Sequence, residues 1–132
     1  MRYKKANKKD LPFLTECLIH AILPFIKGDK EKLKVIASMN DYVSKSYNEY
    51  TLIYRFLKPI GLYHLKNKEL SLLYIIKEYQ NECLETKVFN KIKDNINTIK
   101  LSKEDIKSKN FYQNHGFIKC KETKEEVILR KE

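Results

Sequence analysis

The 132-residue chain has no tryptophan, only three glycines and three prolines, and two methionines. So little glycine and proline excludes a collagen-like or low-complexity polymer. The three cysteines, Cys17, Cys83 and Cys120, are an odd number, lie far apart and form no C-x-x-C. Neither a disulfide framework nor a structural zinc site is expected, and free thiols fit the reducing cytoplasm. No apolar run approaches the roughly 20 residues of a membrane span, so no membrane partner is expected. Residues 1–10 are charged rather than apolar, unlike a secretory signal. Arginine is also scarce: of 27 basic side chains only Arg2, Arg55 and Arg130 are arginine. The net charge of +10 is spread along the chain, with 15 basic and 11 acidic side chains in residues 66–132. Arginine is the usual bidentate reader of phosphate and guanine, so nucleic acid is not the expected main partner. A basic nucleic-acid-associated domain stays as the second alternative.

What is present is a globular balance. Apolar residues make up 42% and charged residues 33%, with both signs mixed, which argues against disorder. The length fits one domain over residues 1–132 with a core that needs no staple.

The pattern alternates strands and helices. Residues 2–6 form a short strand. Asp10-Leu11-Pro12 starts a helix with Asp10 as cap, and Leu11, Leu14, Leu18, Ala21 and Ile22 give it an inward face. A second helix spans 30–47, with Leu33, Ile36, Ala37, Val43 and Tyr47 inward. An antiparallel meander follows at 50–56, 60–65 and 70–76. The last of these is nearly all apolar and is expected in the middle of the sheet, covered on both faces. A helix marked by Leu84, Val88, Ile92 and Ile96 leads to a strand at 98–101. Ser102 and Asp105 read as a capping box for a final helix, which Gly116 ends. Strands at 117–121 and 126–130 close the chain.

This order of elements, with three stretches of sequence, resembles the GNAT acetyltransferase superfamily. Asn110-Phe111-Tyr112-Gln113-Asn114-His115-Gly116-Phe117 looks like that family's F-Y-x-x-x-G-F. Residues 72–80, LLYIIKEYQ, look like its fourth strand entering the cofactor loop, and residues 2–11 like its first strand and helix. The resemblance implies an α+β fold: a mixed, mostly antiparallel sheet flanked by helices and splayed between the fourth and fifth strands. It also implies transfer of an acetyl group from acetyl-CoA to a primary amine on a small molecule or peptide, by a monomer or homodimer.

The family's loop reads Q/R-x-x-G-x-G/A before its helix, and the matching stretch here is residues 80–86, QNECLET. Gln80 fits. Cys83 and Glu85 depart from the small residues, and a carboxylate at a helix N-terminus would repel a pyrophosphate placed there. A degenerate GNAT fold that binds the cofactor weakly and acts through protein contacts is therefore the first alternative. The resemblance implies cofactor contacts from Ile75, Ile76, Gln80, Asn81, Cys83, Glu85 and Thr86, and gives Tyr112 the role of general acid. For the general base, Glu69 at the start of the fourth strand is the candidate, with His64 on the third strand beside it. His20, His64 and His115 share no ligand spacing, so no metal is expected.

Overall fold

A computed structural model describes residues 1–132. In chain order the elements are β1 (Arg2–Lys5), α1 (Leu11–Ile22), α2 (Asp29–Ser46), β2 (Tyr50–Arg55), β3 (Lys58–Lys66), β4 (Glu69–Ile75), α3 (Leu84–Ile92), β5 (Thr98–Ser102), α4 (Ile106–Gln113), β6 (Phe117–Glu122) and β7 (Glu126–Lys131). Every element expected from the sequence is present, in order. The sheet has seven strands in the order β1-β2-β3-β4-β5-β7-β6. Its neighbours are antiparallel except β4 and β5, which run parallel. A parallel pair needs a long crossover, and α3 supplies it.

The sheet separates two cores. Adjacent residues of a strand point to opposite faces, and Leu52 and Ile53 of β2 are both fully buried, one in each core. Leu52 packs with Leu14, Leu18, Met39 and Val43 of α1 and α2. Ile53 belongs with Leu84, Val88, Phe89 and Ile92 of α3, Tyr112 of α4, and Val127 and Leu129 of β7. Three bulges switch the alternation: Ile60 is skipped where β2 meets β3, Ser71 where β3 meets β4, and Cys120 where β6 meets β7.

Several local expectations are corrected. Asp10 does not cap α1; its carboxylate accepts the Asn7 N–H at 2.9 Å, and Asn7 caps the short turn before the helix. Ser102 ends β5, and Asp105 alone caps α4 by accepting the Ser108 N–H at 3.1 Å. On α2 the inward stripe is Val35, Met39, Val43 and Ser46, whereas Leu33 and Ile36 are exposed. Finally, β4 is central, fourth of seven, yet Leu72, Leu73 and Tyr74 are only half-buried. The reason is that β5 pairs with β4 only at Glu69↔Thr98 and Leu70↔Ile99. Beyond Leu70, β4 has a strand neighbour on one side only.

Candidate active site

The unpaired stretch of β4 forms one wall of a pocket of about 730 Å³. Leu72, Leu73, Tyr74 and Ile75 give it an apolar floor. Gln80, Asn81, Cys83, Glu85 and Thr86 close one end, Asp105, Lys107, Ser108, Phe111 and Tyr112 form the α4 wall, and His20, Ala21, Pro24 and Phe25 come from α1 and the turn after it. This is a concave space with an apolar floor and polar walls, a form that suits a small molecule.

The loop at its end is fixed from both sides. The Gln80 side-chain amide donates to the Ile75 carbonyl at 2.7 Å, tying the turn Lys77–Glu82 to the end of β4. Arg55 pairs with Glu82 at 2.6 Å on the outer side, but both groups are well exposed, so the pair adds little stability. Cys83 then adopts a left-handed conformation, φ 57° and ψ 27°, just before α3. Glycine tolerates that conformation freely, whereas a side chain costs about 1–2 kcal/mol there. The departure seen in the sequence thus falls where the backbone itself favours the smaller residue. Glu85 sits in the first turn of α3, where its charge suits the helix dipole.

Tyr112 is held by an aromatic cluster around Phe89 of α3. The Phe89 ring lies 5.3 Å from Tyr112, 5.7 Å from Phe111, 5.2 Å from His115 and 5.7 Å from Phe117. His115 donates from Nδ1 to the Phe111 carbonyl at 2.7 Å, closing the last turn of α4. Gly116 follows with φ +90°, a value its neighbours could not adopt cheaply. The motif residues therefore serve one purpose: they seat the Tyr112 ring against α3 while it also lines the pocket. Tyr112 is 6% exposed. Burial pushes its phenol well above the usual tyrosine range, and the carboxylates of Asp105 and Glu85 add to the effect. The hydroxyl stays protonated at any physiological pH.

No family profile matches the sequence, and no curated protein matches it significantly. Solved structures do match. The PaiA N-acetyltransferase of Thermoplasma acidophilum, in complex with coenzyme A, superposes with a TM-score of 0.75 at 18% identity, over 99% of this chain and 98% of that one. A GCN5-related N-acetyltransferase of Rhodopseudomonas palustris gives 0.73 at 13% identity, over 98% and 94%. YjaB of Escherichia coli, in its apo form, gives 0.78 at 10% identity, over 98% and 95%.

The chain has the GNAT fold. Within that fold, six of the seven residues expected around a cofactor, Ile75, Gln80, Asn81, Cys83, Glu85 and Thr86, are brought together in the pocket with Tyr112. Ile76 is not. Its N–H donates to the Ile60 carbonyl at 2.8 Å, and it lines an adjoining cavity with Phe13, Cys17 and Lys58 that shares Tyr74 and Gln80 with the pocket. Glu69 is also left out. It lies at the paired end of β4, accepting from the Thr98 hydroxyl at 3.3 Å, four residues from Leu73, which is about 13 Å along a strand. Its carboxylate is bonded to β5 and is not among the residues that line the pocket, so the candidate base is not brought together with the others. Lys107 of α4 was not anticipated. Lys107 falls four residues before Phe111, the spacing that sets both on one helical face.

Proposed function

We propose that this single GNAT domain, residues 1–132, is an N-acetyltransferase that moves the acetyl group of acetyl-CoA to a primary amine of a small molecule or peptide. The observation that carries this reading is the convergence, in one pocket, of the end of β4, the first turn of α3 and Tyr112. A helix of nine residues such as α3 leaves its first N–H groups without internal partners, and those amides suit an anion such as a pyrophosphate. The apolar floor of Leu72, Leu73 and Ile75 suits the aliphatic arm of the cofactor, which supplies a thioester-bound acetyl group. Tyr112 holds a proton at its hydroxyl, available to a departing thiolate. We place this activity, as part of the same proposal, in the cytoplasm and in a monomer or homodimer; the acceptor follows from experiment.

A second reading has its own observation. The Glu85 carboxylate lines the pocket at the point where a pyrophosphate would lie, and two unit charges about 4 Å apart repel by roughly 1 kcal/mol in water and 4 at an effective dielectric of 20. A GNAT fold that no longer binds the cofactor would act through protein contacts instead. Calorimetric titration with acetyl-CoA decides between them: saturable one-to-one binding is expected, and heats no larger than dilution would favour the second reading.

A further inference from the structure

A chain of three side chains crosses β3 and β4 beside the cleft. Ser71 Oγ lies 2.7 Å from His64 Nδ1, and His64 Nε2 lies 2.8 Å from Glu49 Oε1. The second carboxylate oxygen of Glu49 accepts from Lys66 Nζ at 3.0 Å. Tyr50 meets the imidazole edge-to-face at 4.9 Å. Glu49, Lys66, Tyr50 and Ser71 are thus the polar groups against the ring.

The chemistry of the partners fixes the proton positions. The bonds from His64 and Lys66 hold the Glu49 carboxyl below its ordinary range, so it is ionised and can only accept. His64 Nε2 must therefore carry the hydrogen. In the neutral ring Nδ1 is then a bare lone pair, and the Ser71 hydroxyl donates to it. That leaves the lone pairs of Ser71 Oγ free to accept.

Ser71 is placed to use them. As the bulge residue of β4 it has no cross-strand partner. It lines a narrow cavity of about 40 Å³ between β4 and β5 together with Leu73 and Tyr112. It also lines a larger cavity of about 660 Å³ that runs from Phe25 and Lys27 to Lys124. Both cavities share Leu72 and Asp105 with the candidate active site.

We propose that Ser71, His64 and Glu49 form a proton relay that deprotonates an acceptor ammonium in this cleft. The inference rests on the acetyltransferase reading. In the step, the ammonium N–H passes its proton to Ser71 Oγ as the serine proton passes to His64 Nδ1. The imidazolium so formed is held by Glu49. The neutral amine attacks the thioester carbonyl, the C–N bond forms, the C–S bond breaks, the thiolate takes the Tyr112 proton, and the surplus N–H proton of the attacking nitrogen leaves to water to give the neutral amide. His64 returns its proton to water at the exposed Glu49–Lys66 end, and Tyr112 is reprotonated from solvent. Ser71 is the catalytic residue; His64 and Glu49 are positioning residues that act through it.

Two acceptors test this. n-Butylamine is an ammonium at neutral pH and needs a base, whereas hydroxylamine is largely neutral already. Coenzyme A release from acetyl-CoA is followed with each, for the parent, His64→Gln and Ser71→Ala. The serine change removes one oxygen from a bulge residue and should keep the fold. With n-butylamine both variants should lose about 10²-fold in kcat/KM, and with hydroxylamine less than about threefold. Calorimetric affinity for acetyl-CoA should be unchanged. Equal losses with both acceptors, or no loss with n-butylamine, would overturn the relay while leaving the acetyltransferase standing. A parent that binds acetyl-CoA and transfers to neither amine overturns the relay, and one that does not bind it overturns the proposed function as well.

Discussion

The two ends of β4 are built from similar residues and do different work. At one end Leu70 pairs with Ile99 of β5 and is wholly buried. At the other, Leu72, Leu73 and Tyr74 have no β5 partner and form the floor of a pocket. Apolar character alone therefore does not say whether a strand residue stabilises or binds. What separates the two is the loss of a neighbouring strand after two ladder pairs. Burial is worth about 25 cal/mol per Å² only where something covers the residue. Left open, the same side chains offer an apolar surface to a ligand.

The largest effect should come from setting the two ends against each other. Leu70→Ala should cost about 3 kcal/mol of unfolding free energy, the usual cost of a cavity in a packed core. Leu73→Ala should cost less than about 1.5 kcal/mol, because part of that side chain is in water already. Urea unfolding of both variants checks this, and equal costs would break the comparison. Next, Tyr112→Phe should lower kcat by about 10²-fold with unchanged melting, since the ring keeps its contacts with Phe89. A fully active Tyr112→Phe would make the residue a core aromatic only.

Gly61 of β3 sharpens the comparison from behind. A Cβ there would strike the Tyr74 carbonyl oxygen and come within 2.8 Å of Ile75 Cδ1 and 3.2 Å of its Cα. The open end of β4 is thus pressed close against β3 while free on its other side. Gly61→Ala should cost about 2 kcal/mol, measured as a lowered denaturation midpoint, and should weaken acetyl-CoA binding by moving the pocket floor. A smaller effect is expected at the loop. Glu85→Gln removes the charge but keeps the shape, and should tighten acetyl-CoA binding by about tenfold, or 1.4 kcal/mol. Equal affinities in parallel titrations at one salt concentration would show the carboxylate to be harmless.

Much of this was legible in the sequence because local signals agreed. Strand alternation, helical periodicity and the F-Y-x-x-x-G-F stretch marked every element in order and put Tyr112 on the last helix, although the expected Ser102–Asp105 capping box is Asp105 alone. Glu85 was legible too, as a charge in a first helical turn. The inward face of α2 was legible only in part: Val43 and Tyr47 were expected inward and pack in the core, Leu33 and Ile36 were expected there and are exposed. Leu33, Ile36 and Ala37 make one apolar stripe, Val35, Met39 and Val43 another, and period alone cannot choose between them. Burial on α1 and β2 chose the second. Glu69 was misplaced because the strand end facing the pocket depends on where β5 departs, a tertiary fact. The Ser71–His64–Glu49 chain was hidden for a similar reason: it joins the residue before β2, β3 and a bulge in β4, and a bulge leaves no mark in a run such as LSLLYII.

On the reading proposed above, the open end of β4, and not the paired end, receives the cofactor. Amide chemical shifts of the ¹⁵N-labelled chain, followed while acetyl-CoA is added, test it most directly. Saturable changes are expected only at residues 72–75, 80–86 and 105–112, with Glu69, Leu70, Thr98 and Ile99 unmoved. Shifts centred on the paired end, or none anywhere at saturating acetyl-CoA, would contradict it.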